Sequence, residues 1–251
     1  MMTTQLTTTP TPRRRWLQFS LRGLLLLMVV ISGPLAWFAW KLERLRAQRE
    51  AIQAIESLGG LAIYDLEYSD VPLDASGEIV LPGPARLRRV LGDDAFVHVV
   101  YVRLADIEVS ASHLKCLEGL PRCRLLDLSS AKVTDAALVS LSGRTRLEQL
   151  FLAETGVTDK GLFHLRGLRR LHVLDLDRTD VSDIGLLYLR GLNQLQDLRL
   201  RGTQVTDAGL AQLQGLTDLE CLNLFDTHVT DVGLQYLEYL TRLQRLDLGG
   251  T

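Results

Sequence analysis

Leu147-Glu-Gln-Leu150-Phe-Leu152-Ala-Glu-Thr155-Gly-Val157-Thr158-Asp159-Lys-Gly161-Leu162, followed by Leu165 and Leu168, recurs every 24 residues along the C-terminal half of the chain. The next copy begins at Leu171 and carries Leu174, Leu176, Thr179, Val181, Ser182, Asp183, Gly185, Leu186, Leu189 and Leu192. Further copies begin at Leu195 and Leu219, and a cut-off one at Leu243; backward steps of 24 land on Cys123 and Val99. Seven starts keep one period without a slip. Self-similarity at a fixed step in this range is the signature of a solenoid, in which each unit buries its apolar face only against its neighbours.

Within a unit, Leu-x-x-Leu-x-Leu alternates with period two and predicts a short strand with inward leucines. One strand per 24 residues stacks into a parallel sheet, and the rest of each unit returns the chain along the outside. There Leu162 and Leu165 share one face of a short helix. Thr158, Ser182, Thr206 and Thr230 stand where N-caps are wanted, and the Asp after each puts negative charge at a helix start. Gly119, Gly143, Gly167, Gly191 and Gly215 recur after the last helical turn, where a left-handed C-terminal residue is expected. A second series, Gly161, Gly185, Gly209 and Gly233, lies inside the first turn and is expected to let neighbouring helices crowd together.

The pattern L-x-x-L-x-L-x-x-T-x-V-T-D-x-G-L resembles the leucine-rich repeat family. Its V-T-D-x-G-L half is similar to repeats of F-box-type and ribonuclease-inhibitor-like members and to bacterial arrays of the same phrase. The resemblance covers about residues 99–251. The N-terminal part resembles membrane-anchored bacterial arrays of this kind, which start with a basic segment, one span and an L-G-G turn. There is no F-box-like segment, and the ordered cysteine pairs that flank many extracellular members are missing. The resemblance implies an α/β solenoid, with a curved parallel sheet inside and short helices outside, that binds partners on the concave sheet.

Composition narrows the classes of function. With 47% hydrophobic and 23% charged residues, the chain has enough apolar material to fold rather than remain disordered. Residues 1–98 carry 11 Lys and Arg against 10 Asp and Glu, and 99–251 carry 17 against 20. The repeat half is slightly acidic, which weighs against a nucleic-acid partner, since phosphate binding needs a dense basic footprint. Three cysteines at unrelated spacings, Cys116, Cys123 and Cys221, form neither a disulfide framework nor a zinc set. Cys116 and Cys123 read as small core hydrophobes.

Residues 1–15 are expected to be a disordered tail that ends in a basic cluster, and 16–40 an anchor. From Gly23 to Trp40 there are 18 residues without a charge, about 27 Å of helix, close to the hydrocarbon thickness of a bilayer. Trp16, Trp37 and Trp40 stand at its ends, where indoles favour the interface. A cleaved signal peptide has the same basic start and apolar middle but needs small residues before its cut, and Ala36-Trp-Phe-Ala39 is bulky there. A buried soluble helix is the third reading; nothing downstream looks like its partner. The uncleaved signal-anchor is preferred, with the bilayer as its partner through residues 23–40. Lys and Arg counts tie across the span, so the basic N-terminal flank decides: N-terminus inside, repeats on the non-cytoplasmic side.

Residues 41–98 are expected to form a juxtamembrane helix and N-terminal cap. Lys41–Leu58 reads as a helix stopped by Gly59-Gly60, Leu61–Tyr68 as a strand, and Arg86–Phe96 as a second helix. Such a unit covers the open end of a solenoid. At the other end the last copy stops after its strand, leaving Leu243, Leu246 and Leu248 without a layer above; the expectation is either a truncated product or an open end that serves as a surface for another chain or for self-association.

The candidate binding residues lie between the inward leucines. The middle residue of Leu-x-Leu reads Arg103, Asp127, Phe151, Asp175, Arg199, Asn223 and Asp247; the residue after the second leucine reads Ala105, Ser129, Ala153, Asp177, Arg201, Phe225 and Gly249. Rungs of a parallel sheet lie under about 5 Å apart, so Asp175 and Asp177 are expected to face Arg199 and Arg201. One reading is a recognition patch for a protein or peptide, made of Phe151, Asp175, Asp177, Arg199, Arg201, Asn223 and Phe225 and rimmed by exposed phenylalanines. The plainer reading, preferred for any single residue, is a ladder of self-compensating ion pairs, each worth under about 1 kcal/mol. No catalytic, cofactor or metal site is expected. The five histidines are scattered, and neither H-E-x-x-H, G-x-S-x-G nor a phosphate loop occurs. The row Asp159, Asp183, Asp207 and Asp231 suggests calcium, but helix starts explain it without a metal. The chain thus reads as a membrane-anchored, non-catalytic binding scaffold, with the sensor or regulatory half of a larger assembly as the alternative.

Overall fold

A computed structural model describes residues 21–65, 84–92 and 95–251, with the side chains of 21–27 and of Ala85 outside the description. The chain divides into two units, Met1–Glu43 and Arg44–Thr251.

The second unit is the solenoid. Eight strands lie in one sheet in chain order: β1 (Leu61–Tyr64), β2 (Val99–Arg103), β3 (Leu125–Asp127), β4 (Gln149–Phe151), β5 (Val173–Asp175), β6 (Asp197–Arg199), β7 (Cys221–Asn223) and β8 (Arg245–Asp247). From β2 onward all pairs are parallel and step by 24 residues, so Val102, Leu126, Leu150, Leu174, Leu198, Leu222 and Leu246 form one column. From Val102 to Leu222 that column is buried. Leu152, Leu176, Leu200, Val157, Val181, Val205 and their outer partners Leu162, Leu186 and Leu210 complete the core, all at 0% exposure. Burying side chains of this size contributes about 1.5–3 kcal/mol each, which is why the leucine positions tolerate so little variation from copy to copy.

The threonine that follows each strand has a buried hydroxyl, and the hydroxyl has a partner. Thr155, Thr179, Thr203 and Thr227 donate Oγ1–H to the carbonyls of Leu152, Leu176, Leu200 and Leu224 at 2.6–2.7 Å. The chain reverses there through a residue with positive φ, at Asp106, Ser130, Glu154, Arg178, Gly202, Asp226 and Gly250. This is a third 24-residue series, and glycine fills only two of its places. The left-handed glycines expected after the outer helices are mostly absent: of that series only Gly143 has positive φ. The outer segments are too short to need such a cap. Most are a single α turn, as in Asp159–Leu162 or Asp183–Leu186, that passes into 3₁₀ or turn structure, and the last, Gly233–Tyr239, is 3₁₀ throughout.

Helix α1 spans Leu21–Ser57 and ends just before Gly59, whose φ is +81°. Of its residues in the solenoid unit, Leu45, Gln48, Ala51, Ile52 and Ile55 are buried, a helical spacing of three and four, and Ala51, Ile52 and Ile55 join the repeat core. Gly119 allows this packing: a Cβ there would stand 2.3 Å from the Ala47 carbonyl oxygen. Gly60 is likewise pressed against Leu104 and the Arg103 carbonyl. Strand β1 pairs antiparallel with β2, with Leu61 opposite Arg103. Strand β1 takes up the first four residues of the expected strand Leu61–Tyr68, of which Leu66–Tyr68 lie outside the described residues. Helix α2 (Ala85–Leu91) is shorter than the expected Arg86–Phe96, because Gly92 turns the chain at φ +90°.

In the first unit, the described part of α1 exposes Met28, Val29, Val30, Ile31, Leu35, Trp37 and Trp40, with Pro34 inside the helix. Among the described residues no helix is long and apolar enough to cross a membrane, so the expected transmembrane span over 23–40 is without support here. The side chains of 23–27, which open that run, and the expected tail of 1–15 lie outside the described residues.

Candidate partner-binding face

The sheet face turned away from the core is set by the pleat: in strands β3 to β7 the middle residue is buried and its neighbours point out, and only in the last strand, β8, is the middle residue, Leu246, exposed. The expected column is present, running Arg103, Asp127, Phe151, Asp175, Arg199, Asn223 and Asp247 in register. A second outward column was not singled out in the sequence. It runs Tyr101, Leu125, Gln149, Val173, Asp197, Cys221 and Arg245. The signal was available, because these residues stand two before the first column and so share its face.

At the centre of the face lies an acidic and basic cluster. Arg199 reaches Asp197 on its own strand (3.0 Å) and Asp175 on the next (3.4 Å). Asp175 is only 7% exposed, so it is no solvated rim charge. Its Oδ1 also accepts the Asp177 N–H at 3.0 Å. Burial pushes the Asp175 carboxyl up from its ordinary range, opposed by that hydrogen bond and by Arg199. Burial also pushes up Asp177. The Asp197 hydrogen bond holds Arg199 above its ordinary value. The expected pairing of Asp177 with Arg201 takes another form: the Arg201 backbone N–H donates to Asp177 Oδ1 at 2.8 Å. The Arg201 guanidinium instead lies over the Phe225 ring, 4.5 Å from its centroid.

The phenylalanines were expected to be exposed, and both are half-buried. Phe225 lies against Gly249, where a Cβ would come within 2.6 Å of the ring. Asn223 is turned to the frame, its Oδ1 accepting the Phe225 N–H at 2.9 Å. Asp127 and Asp247 make the same bond to Ser129 and Gly249. The acceptor in the middle of Leu-x-Leu therefore shapes the turn as well as the face. Arg103 and Asp127 form a further ion pair at 3.5 Å. The face is thus a polar surface on which Asp175 is positioned by Arg199, and Arg201 by Asp177 and Phe225, while Phe151 stands one rung away.

The recurring carboxylates of the outer turns have a structural occupation. Asp135, Asp159, Asp183 and Asp207 each accept the backbone N–H (2.8 Å) and the hydroxyl (2.6–2.7 Å) of Thr158, Ser182, Thr206 and Thr230 in the following copy. That hydroxyl in turn accepts the N–H two residues on, at 3.3 Å. Thr134 lacks such a partner because Ala111 stands 24 residues before Asp135. Among the described residues no group of three or more His, Cys, Asp and Glu side chains is placed to hold a metal ion. Cys116, Cys123 and Cys221 are free thiols. Burial pushes Cys123 up to about 12 and raises Cys116, which leaves both as neutral packing groups.

Comparison with known proteins agrees with this architecture. Residues 215–237 match a leucine-rich repeat family model, and no curated protein sequence matches the chain. Among solved structures, an internalin C2 (inlC2) from Listeria monocytogenes is similar in fold, at 24% identity and a TM-score of 0.50 over 61% of this chain and 72% of that one. An internalin (inlF) from the same organism aligns at 26% identity and a TM-score of 0.48, over 55% of this chain and 38% of the internalin.

Proposed function

The chain is built of leucine-rich repeats, and on that premise we propose that it is a non-catalytic scaffold that binds a protein or peptide through the outward face of its sheet. The observation that carries this is a division of labour among the recurring residues. Leucines, the Asp row with its Thr and Ser partners, and the first-turn glycines join one copy to the next, while the buried threonines close the turn within each copy. What varies between copies is the outward columns, where Asp175, Arg199, Arg201 and Phe225 are held by one another on a rigid frame. Preorganised Arg and aromatic groups lose little freedom on binding, which suits them as anchors.

We further propose a membrane anchor at residues 23–40, with the repeats on the non-cytoplasmic side and residues 41–98 as the juxtamembrane helix and N-terminal cap. Its support is the uncharged run in the sequence and the exposed apolar side chains of α1 from Met28 to Trp40. Carbonate extraction tests it: an anchored chain stays in the membrane pellet, and release into the supernatant excludes the anchor. Protection of the repeats from added protease in intact cells would exclude the proposed orientation.

The binding reading is tested by affinity capture with the full chain and with a variant carrying Phe151→Ala, Arg199→Ala, Arg201→Ala and Phe225→Ala. The scaffold reading expects partners lost by the variant. Retention of every partner captured by the wild type rejects this face.

A further inference from the structure

A cleft of about 550 Å³ opens at the start of strands β2–β5, away from the cluster around Arg199. Its charged lining is Arg122, Arg124, Arg146 and Arg170 with Asp65 and Glu148. Arg124 pairs with Glu148 at 3.7 Å, and Asp65 accepts the His98 N–H at 3.0 Å. Arg122, Arg146 and Arg170 are exposed, and among the described residues none of the three has an ion-pair partner.

These three residues occupy one place in three successive copies, directly before the first apolar residue of the unit. The same place in the later copies holds Gln194, Asp218 and Arg242, and there Arg242 neutralises Asp218 at 2.8 Å. Successive rungs stack about 4.8 Å apart, and like charges facing one another across rungs are destabilising. The second to fourth copies therefore carry an uncompensated repulsion that the later ones avoid. Guanidinium groups are well matched to carboxylates, which they bind in bidentate fashion.

We propose that this cleft binds an acidic peptide segment, with two or three carboxylates meeting the Arg122, Arg146 and Arg170 guanidiniums. Alternate side chains of an extended peptide lie about 7 Å apart against about 4.8 Å between rungs, a difference that long arginine side chains take up, so such a segment meets two or three of them. Asp65 and Glu148 oppose a compact dianion at the centre of the cleft and favour charge spread along a chain. Among the described residues the lining holds no aromatic one, and so offers no stacking platform of the kind that single-stranded nucleic acid uses. The site is separate from the sheet-face cluster and does not depend on the scaffold reading.

The test is fluorescence anisotropy with full-length protein in detergent and a labelled octapeptide of alternating Glu and Ser. Saturable binding that weakens as salt rises is expected. Arg122→Gln/Arg146→Gln/Arg170→Gln, checked for an unchanged circular dichroism spectrum, should lose at least tenfold in affinity. Replacing the same three by Lys, which retains charge without the fork, should lose less. Arg242→Gln and Arg199→Gln should leave binding unchanged. No binding by the wild type, equal binding by the triple Gln variant, or an equal loss with Arg199→Gln would overturn the assignment. So would tighter binding of tripolyphosphate or of a single-stranded oligonucleotide than of the peptide.

Discussion

Asp159 accepts two hydrogen bonds from Ser182 of the following copy, one from its backbone N–H at 2.8 Å and one from its hydroxyl at 2.6 Å. The relationship repeats at Asp183 with Thr206, so each copy is tied to the next on the outside as well as through the sheet. Charge-assisted bonds of this length are among the stronger ones in proteins.

Asp183→Ala should therefore cost about 1.5–3 kcal/mol, because it removes a charged acceptor from two donors. Urea unfolding followed by far-ultraviolet circular dichroism measures it. A loss no larger than that of Asp180→Ala, at an exposed turn position, would mean that the bonds add nothing to the frame.

The pH dependence follows from Asp207. Its bonds from Thr230 hold the carboxyl below its ordinary range. A carboxylate whose folded pKa is depressed contributes stability that is present above its unfolded value, about 3.9, and is lost as pH falls through the folded value. The turn at Thr230 should accordingly lose hydrogen-exchange protection below about pH 4, and Asp207→Asn should weaken that dependence. Asp175 acts with the opposite sign: burial raises it, so its protonation on acidification relieves a cost rather than adding one.

Gly185→Ala should destabilise by about 1–3 kcal/mol through overpacking, since its Cβ would meet Asp159 Oδ1 at 2.4 Å and Leu162 Cδ1 at 2.9 Å. Gly167→Ala, with open space at its Cβ and no positive φ, should be neutral or mildly stabilising. Thermal melts of the two variants side by side decide the matter; equal shifts would contradict the close-approach account.

Ser130, at φ +55°, sits in a conformation that costs a non-glycine residue about 1–2 kcal/mol. Ser130→Gly should stabilise the fold, and Gly202→Ala at φ +65° should destabilise it. Opposite signs in the two melting temperatures are the expected outcome.

These predictions also mark how far the amino-acid sequence could be read. The period placed Leu150 under Leu174 and Asp175 beside Arg199, because apolar alternation and a constant step together determine the register. It could not show that Thr158 and Asp135 are joined, since that bond depends on side-chain geometry across 23 residues. The positive-φ series was hidden for a plainer reason: Asp106, Ser130, Glu154 and Arg178 have no residue type in common. Arg122, Arg146 and Arg170 stand at the repeat step but disappear in a charge count taken over the whole half. Phe225 looked exposed because Gly249, which makes room for its ring, belongs to the next copy.

The central claim is that the outward sheet face takes the partner. The direct measurement is site-specific photo-crosslinking, with a benzophenone side chain placed at Phe151 on that face or at Phe163 on the outer side, in the presence of the captured partner. The account predicts an adduct from Phe151 and none from Phe163. An adduct from Phe163 alone would contradict it.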